Sequence, residues 1–334
     1  MSAAWQLYIC TVLTYLAVDL IACWGLNFQF GTAGIVNFAF IVFLAAGAYT
    51  AAVLSLGPAS AGGFQQYIGG ANLPFPLPLV AAGVVGGLLS AVVGLVGLRR
   101  LRTDYQAMVM LVISLIATTL ITNDVPLFNG AAGLATVPRP LFGSLGGNLV
   151  DYNWYFVAFA GFVCVLAYIF VQRLTKAPFG RLLRAMRDNE QAAAALGKNV
   201  NALRMVAFVT GGVLAGVAGG LQVEFISAWS PGSWVFIESF VLFTAIIVGG
   251  AGNALGVALG VAIVPVGFLE ASRFLPAIGG PDLLGAIEWI AVGALTILML
   301  WVRPRGILPE RPRVFSDPKK PARALLSRLR VGKA

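Results

Sequence analysis

The chain has 334 residues, of which 59% are hydrophobic and only 10% are charged. Soluble domains carry about 25% charged residues, so this composition excludes a water-facing surface and predicts a polytopic membrane protein. Histidine is absent, which excludes histidine-based triads, zinc sites of the H-E-x-x-H type and haem ligation by histidine. The three cysteines, Cys10, Cys23 and Cys164, are isolated in apolar runs and lack the spacing of a disulfide framework or a metal site.

The net charge of +9 is distributed unevenly along the chain. Twenty of the 22 Lys and Arg residues fall in three clusters, at 99–102, 173–204 and 303–334, each beside an apolar run. Cytoplasmic loops of membrane proteins show this enrichment. The pattern therefore favours basic cytoplasmic loops and argues against a nucleic-acid-binding face.

Apolar segments long enough, or almost long enough, to cross a bilayer as helices recur along the chain. They are predicted at 7–26, 30–56, 77–98, 105–122, 152–172, 205–227, 235–250, 254–272 and 283–302. The expected fold is an all-α membrane protein with about nine transmembrane helices, some of them short or broken by glycine. With all three basic clusters in the cytoplasm, the N-terminus is external. The first segment follows no basic residue and is interpreted as a retained span.

The segment between the fifth and sixth predicted spans has the pattern of a short amphipathic helix, 178–200. Pro178 can begin it and Gly197 can end it, and its apolar side chains recur at helical spacing. A helix lying on anionic lipid explains this pattern. A helix docking in a groove of a partner explains better the mixed charges of residues 188–190.

Polar and small residues inside the apolar segments are candidates for a transport pathway. Around the second span these are Asn27, Gly31, Gly34 and Asn37, because glycine-interrupted helices expose backbone groups that can hold a zwitterion. Glycines that serve helix packing alone explain the same pattern.

Two acidic residues near the predicted outer ends of spans complete the set of pathway candidates. Glu224 and Glu238 are costly to place in lipid. Substrate contact, docking of a binding protein and solvation at a helix end all remain open for them.

Motifs for catalysis are missing from the sequence. It contains no G-x-x-x-x-G-K-[ST] motif that could hold ATP phosphates, and no reactive constellation stands out. This favours a pore or a permease over a catalyst.

Four regions of the sequence together resemble the permease subunits of branched-chain amino acid importers of the ATP-binding-cassette class. They are GLNFQFGTAGIVNFAFIVFLAAGAYTAAVL at 25–54, NGAAGLATVPRP at 129–140, APFGRLLRAMRDNEQAAAALGKNV at 177–200, and VGGAGNALGVALG at 248–260 with RPRGILPER at 303–311. The resemblance covers residues 5 to about 312, so a permease domain is expected over 1–311. A basic cytoplasmic tail that contacts membrane lipid is expected over 312–334.

The resemblance implies partners and a location. Two homologous permeases would form the pore, two cytoplasmic ATP-binding subunits would drive it, and an extracytoplasmic substrate-binding protein would deliver branched-chain or related hydrophobic amino acids. The complex would lie in the plasma membrane of a bacterium or archaeon, with no cofactor. A urea or short-amide importer and, from another class, a secondary transporter are the alternatives.

The resemblance also implies roles for individual residues. Segment 178–200 would be the coupling helix that receives the ATPase stroke, with Gly197 as its stop. Its polar contacts would come from Arg181, Arg184, Arg187, Asp188, Asn189 and Glu190.

Overall fold

The protein is described by a computed structural model, which covers residues 2–59, 63–98, 103–143, 148–268 and 281–310. The basic cluster at 99–102 and the expected tail, 312–334, lie outside the described residues. Within those ranges the chain is almost entirely helical, with two isolated β-bridges. The predicted all-α fold is confirmed.

The helices follow the predicted apolar segments closely. They are α1 (Ala3–Asn27), α2 (Phe40–Ser55), α3 (Leu77–Gly97), α4 (Thr103–Asn123), α5 (Val125–Phe128), α6 (Leu149–Lys176), α7 (Pro178–Asp188), α8 (Glu190–Ala195), α9 (Val200–Ile226), α10 (Phe236–Gly249), α11 (Ala254–Val261) and α12 (Pro281–Val302). Seven helices of the described chain are long and apolar enough to cross a membrane. Two apolar helices are shorter: α2, and the helix Ala254–Phe268, which begins with α11. The polytopic membrane architecture is thereby confirmed.

The predicted second span, 30–56, is wrong in its first third. The first helix continues through a π-helical turn, Phe28–Thr32, and residues 33–39 are not helical. Gly34 has a φ of +72°, a conformation that ends helices and that glycine adopts without strain. Hydropathy did not reveal this break, because the buried link is as apolar as the helices it joins.

The link 33–39 enters the bundle instead of running along its end. The carbonyl of Phe38 accepts a hydrogen bond from Ser239, in the first turn of α10 (3.2 Å). The 16 residues of α2 rise only about 24 Å, less than the ~30 Å of a bilayer core. The link makes up the remaining depth, and protein groups satisfy its non-helical backbone.

Helix α9 lies at the centre of the bundle and packs against α1, α2 and α3. A Cβ atom at Gly216 would collide with the carbonyl of Ala82 on α3, and one at Gly219 with the carbonyl of Leu44 on α2. On α2, Gly47 lies equally close to the backbone of Gly216. Small residues let membrane helices approach to backbone contact, which explains the glycine content of α9.

The loops gather at two ends of the bundle. One end, the basic pole, collects residues 27–34, 173–204, 249–253 and 303–310, and it holds nine of the ten described Lys and Arg residues. The tenth is Arg139, at the other end.

This other end, the opposite pole, joins three loops. Ala135 donates to the side-chain carbonyl of Gln65 (3.0 Å), Leu134 forms a β-bridge with Trp229, and Arg139 donates to Ser227 (3.3 Å). The alternation of the helices between the two poles agrees with the predicted order of crossings.

The positive-inside distribution predicts that the basic pole is cytoplasmic. Single cysteines replacing Gly143 and Asp188, both exposed, test this in intact cells with a membrane-impermeant thiol reagent. Position 143 should react and position 188 should react only after permeabilisation. Background labelling of the native cysteines should be low, because Cys10, Cys23 and Cys164 are all buried. Reaction at 188 in intact cells would reverse the orientation.

Candidate functional site at the basic pole

The segment predicted as one amphipathic helix, 178–200, is two helices. Asn189 has an extended backbone between α7 and α8, and its side-chain carbonyl accepts from the amide of Ala192 (2.9 Å). Asparagine favours such capping over a helix interior, so the prediction of a continuous helix is wrong. Gly197, with φ of +74°, follows the end of α8 as the predicted stop.

The first of these helices, α7, has an inner and an outer face. Leu183 and Met186 are buried against the bundle, whereas Arg181, Ala185 and Asp188 are exposed. The predicted coupling residues are therefore divided between the two faces, and only some of them are available to a partner.

Arg187 lies on the inner side and connects three segments of the chain. Its guanidinium donates to the carbonyl of Gly31 and to the carboxylate of Glu310 (3.0 Å). It also contacts its neighbour Asp188 at 3.2 Å. Arg184 lies 3.7 Å from the same Glu310 carboxylate, so both arginines converge on one acid.

Two of the predicted pathway glycines belong to this junction. A Cβ atom at Gly34 would lie 2.8 Å from the side chain of Arg187, and one at Gly31 would collide with Asn27 and the amide of Gly252. Asn27 accepts a hydrogen bond from that amide (2.8 Å). Both glycines therefore permit close approach of polar groups at the end of the first helix.

The segment 303–310, here called the strap, closes the junction. The amides of Ile307 and Leu308 donate to the carbonyls of Val248 and Gly249, at 2.9 Å each. Asn253 adds a side-chain hydrogen bond to the carbonyl of Leu308 (3.1 Å). These bonds fix the strap against the turn 249–253 independently of Glu310.

Glu310 was missed by reasoning from sequence. It is the one acid within the basic stretch 303–313, which is the only signal that could have identified it. The partners Arg184 and Arg187 are more than 120 residues away along the chain, so the pairing could not be read from spacing.

A second polar cluster lies deeper, where the link meets α9. Gln29 donates to the carbonyl of Phe208 (2.7 Å), and Asn37 donates to the side-chain carbonyl of Gln29 (2.8 Å). Asn37 in turn accepts from the amide of Ala39 (3.0 Å). Both side chains are fully buried, and the predicted pathway residue Asn37 bonds the link to the end of the first helix.

The structure does not bring the six predicted pathway residues together. Asn27, Gly31 and Gly34 lie at the basic pole and Asn37 lies just inside it. Glu224 is within three residues of the end of α9 at the opposite pole. Glu238 is in the first turn of α10, next to Ser239, which donates to the carbonyl of Phe38, so it approaches the link and not the residues at the basic pole. One carboxylate oxygen of Glu224 is buried without a hydrogen-bond partner among the described residues.

Replacing Asn37 with Leu should destabilise the protein. The change leaves the side-chain carbonyl of Gln29 and the amide of Ala39 without these partners, and a buried unsatisfied group costs about 1–3 kcal/mol. Thermal unfolding in detergent measures the effect. Asn123→Leu is the matched control, because the Asn123 side chain is exposed and its amide donates to the carbonyl of Thr119 in its own helix. Equal unfolding temperatures for the two variants would contradict a structural role for the cluster.

Comparison with known proteins identifies relatives over most of the chain. A family model described as the permease component of branched-chain amino acid transport systems matches residues 8–300. A probable branched-chain amino acid transport permease protein LivM of Methanocaldococcus jannaschii is 30% identical, over 92% of this chain and 95% of its own.

Two proteins of Escherichia coli are also similar to the chain. The high-affinity branched-chain amino acid transport system permease protein LivM is 29% identical, over 91% of this chain and 71% of its own. The corresponding LivH protein is 26% identical, over 71% of this chain and 76% of its own. No solved structure matches the chain at a significant level.

Proposed function

Since the chain belongs to the family of permease components of branched-chain amino acid transport systems, we propose that it forms part of the membrane pathway of an ATP-driven importer. Its substrates are branched-chain or related hydrophobic amino acids. The similarity to LivM over almost the whole chain supports this assignment.

The proposed complex contains a second permease. Relatives of two kinds, LivM and LivH, are named as permease proteins of such systems, and this chain aligns more completely with LivM. A LivH-like protein is therefore the proposed partner in the pore. Two ATP-binding subunits supply the energy, because the sequence has no phosphate-binding loop of its own, and an extracytoplasmic binding protein delivers the substrate to the opposite pole.

The observation that carries this proposal is the convergence of separate sequence motifs at the basic pole. The regions that begin at 25, 177, 248 and 303 all contribute hydrogen bonds or ion pairs to one junction. A segment that receives force from an ATPase needs such a connection to the membrane-spanning part. The same pole is the one predicted to face the cytoplasm.

The outer side of residues 178–200, here called the coupling segment, is the proposed docking surface for the ATPase. Arg181, Asp188 and Asn189 are exposed there, and Leu196 exposes 79% of its surface after α8. Arg184 and Arg187 bind Glu310 instead, and Glu190 pairs with Arg204 at 2.8 Å. The contact thus combines a few charges with an apolar side chain.

The substrate pathway is proposed to pass beside the link 33–39, which joins the first helix to α2. Asn37 can contribute a polar contact there once its hydrogen bond to Gln29 opens. Phe38 stacks on Phe240 with ring centroids 4.8 Å apart and lies 5.1 Å from Phe243. Such aromatic walls suit an aliphatic side chain better than a polar one.

Reconstitution into liposomes tests the proposed function. The chain is purified with a LivH-like permease, the ATP-binding subunits and the binding protein of the same importer, and uptake of labelled leucine is measured. Uptake should require both ATP and the binding protein, and the chain alone should not hydrolyse ATP. A complex whose ATPase carries an inactivating substitution is the control. Uptake of urea without leucine, or leucine uptake independent of ATP, would contradict the proposal.

A further inference from the structure

We propose that Glu310 and Arg187 form a latch that makes the coupling segment, the end of the first helix and the turn 249–253 move as one body during transport. The inference rests on the proposed function, because it assigns the route by which ATPase motion enters the membrane part. In this role Arg187 and Glu310 are positioning residues, which act through the segments they connect.

The latch depends on the geometry of the arginine side chain. One terminal nitrogen of Arg187 contacts both the carbonyl of Gly31 and the carboxylate of Glu310. A guanidinium has five donors in a planar fork and can therefore hold several acceptors at once. Only 28% of the Arg187 side chain is exposed, so solvent competes weakly for these bonds.

Glu310 is held in place by the strap that carries it. The two backbone hydrogen bonds from Ile307 and Leu308 attach the strap to the last turn of α10. The strap approaches this closely because Gly306 and Gly250 pack backbone against backbone. Likewise, a Cβ atom at Gly252 would lie only 2.7 Å from the Glu310 carboxylate.

The latch contacts the chain just before the link 33–39. The carbonyl that Arg187 binds is that of Gly31, and the link 33–39 begins two residues later. Asn27, one turn before Gly31, is bonded to the turn at Gly252. A displacement of α7 is therefore transmitted to the end of the first helix and to the turn 249–253. From the end of the first helix it reaches the link, which carries Asn37 and its hydrogen bond to Gln29. This connection explains why polar groups that look like pathway residues lie against the coupling segment.

Removing the latch should uncouple the transporter while leaving it assembled. The variants are Glu310→Gln, which keeps the shape and removes the charge, and Glu310→Ala. The matched control is Arg305→Gln, which removes a charge from an exposed side chain of the same strap. The strap keeps its backbone hydrogen bonds in all three, so each variant should fold.

The measured quantity is the number of leucine molecules imported per ATP hydrolysed in the reconstituted complex. We expect this ratio to fall about tenfold in both Glu310 variants, the effect of losing one charge-assisted hydrogen bond at the point of force transfer. Arg305→Gln should keep the wild-type ratio. Co-purification of the ATP-binding subunits should be the same in all variants. Each variant should unfold cooperatively, with a lower unfolding temperature in the Glu310 variants because Arg184 and Arg187 lose their acidic partner.

The outcomes separate this inference from the proposed function. If the wild-type complex imports no leucine, the proposed function fails. If the wild-type complex imports leucine and both Glu310 variants match Arg305→Gln in leucine per ATP, the latch is refuted. If the Glu310 variants lose the ATP-binding subunits during purification, Glu310 is a docking residue and the latch is likewise refuted.

Discussion

The architecture depends on backbone contact between α9 and the helices around it. Lipid is as apolar as the side chains of membrane helices, so association there relies on close packing. Gly216 and Gly219 on α9 and Gly47 on α2 supply that contact. Because α9 is fixed against α1, α2 and α3, the ends of these helices and their loops are brought together at two poles. The short helix α2 fits this frame only because the link 33–39 enters the bundle and completes its depth.

The link 33–39 and the latch are neighbours, and both are connected by polar contacts to other segments of the chain. Non-helical backbone inside a membrane protein requires partners for its polar groups. In the link, the amide of Ile35 donates to the carbonyl of Gln29, and the carbonyl of Phe38 accepts from Ser239. These bonds join the link to the first helix and to α10, and Arg187 binds Gly31 just before the link. A region that is attached to several segments by single hydrogen bonds can change partners as the segments move, which suits a pathway that opens and closes.

The sequence predicts the helices of this fold well and its contacts poorly. Hydropathy located the seven long and two shorter apolar helices of the described chain, because each must meet lipid or core. The clustered Lys and Arg residues identified the basic pole. The break at Gly34 was missed because the buried link remains apolar. An amphipathic pattern places Arg187 on a helix but does not reveal its partners: Glu310 is distant in sequence, and Arg181, on the same helix with the same charge, faces the other way. Such distinctions arise from tertiary contact alone.

The central claim is that the coupling segment and the strap move together. Spin labels on cysteines at Asp188 and Arg305, both exposed, would report the distance between them by pulsed electron resonance. The three buried cysteines are replaced, and only labelled complexes that still import leucine are measured. If the latch holds, the distance distribution is narrow and the same in the nucleotide-free and ATP-bound states. A distribution that shifts or broadens when ATP binds would show that the two segments separate during the cycle, and it would refute the latch.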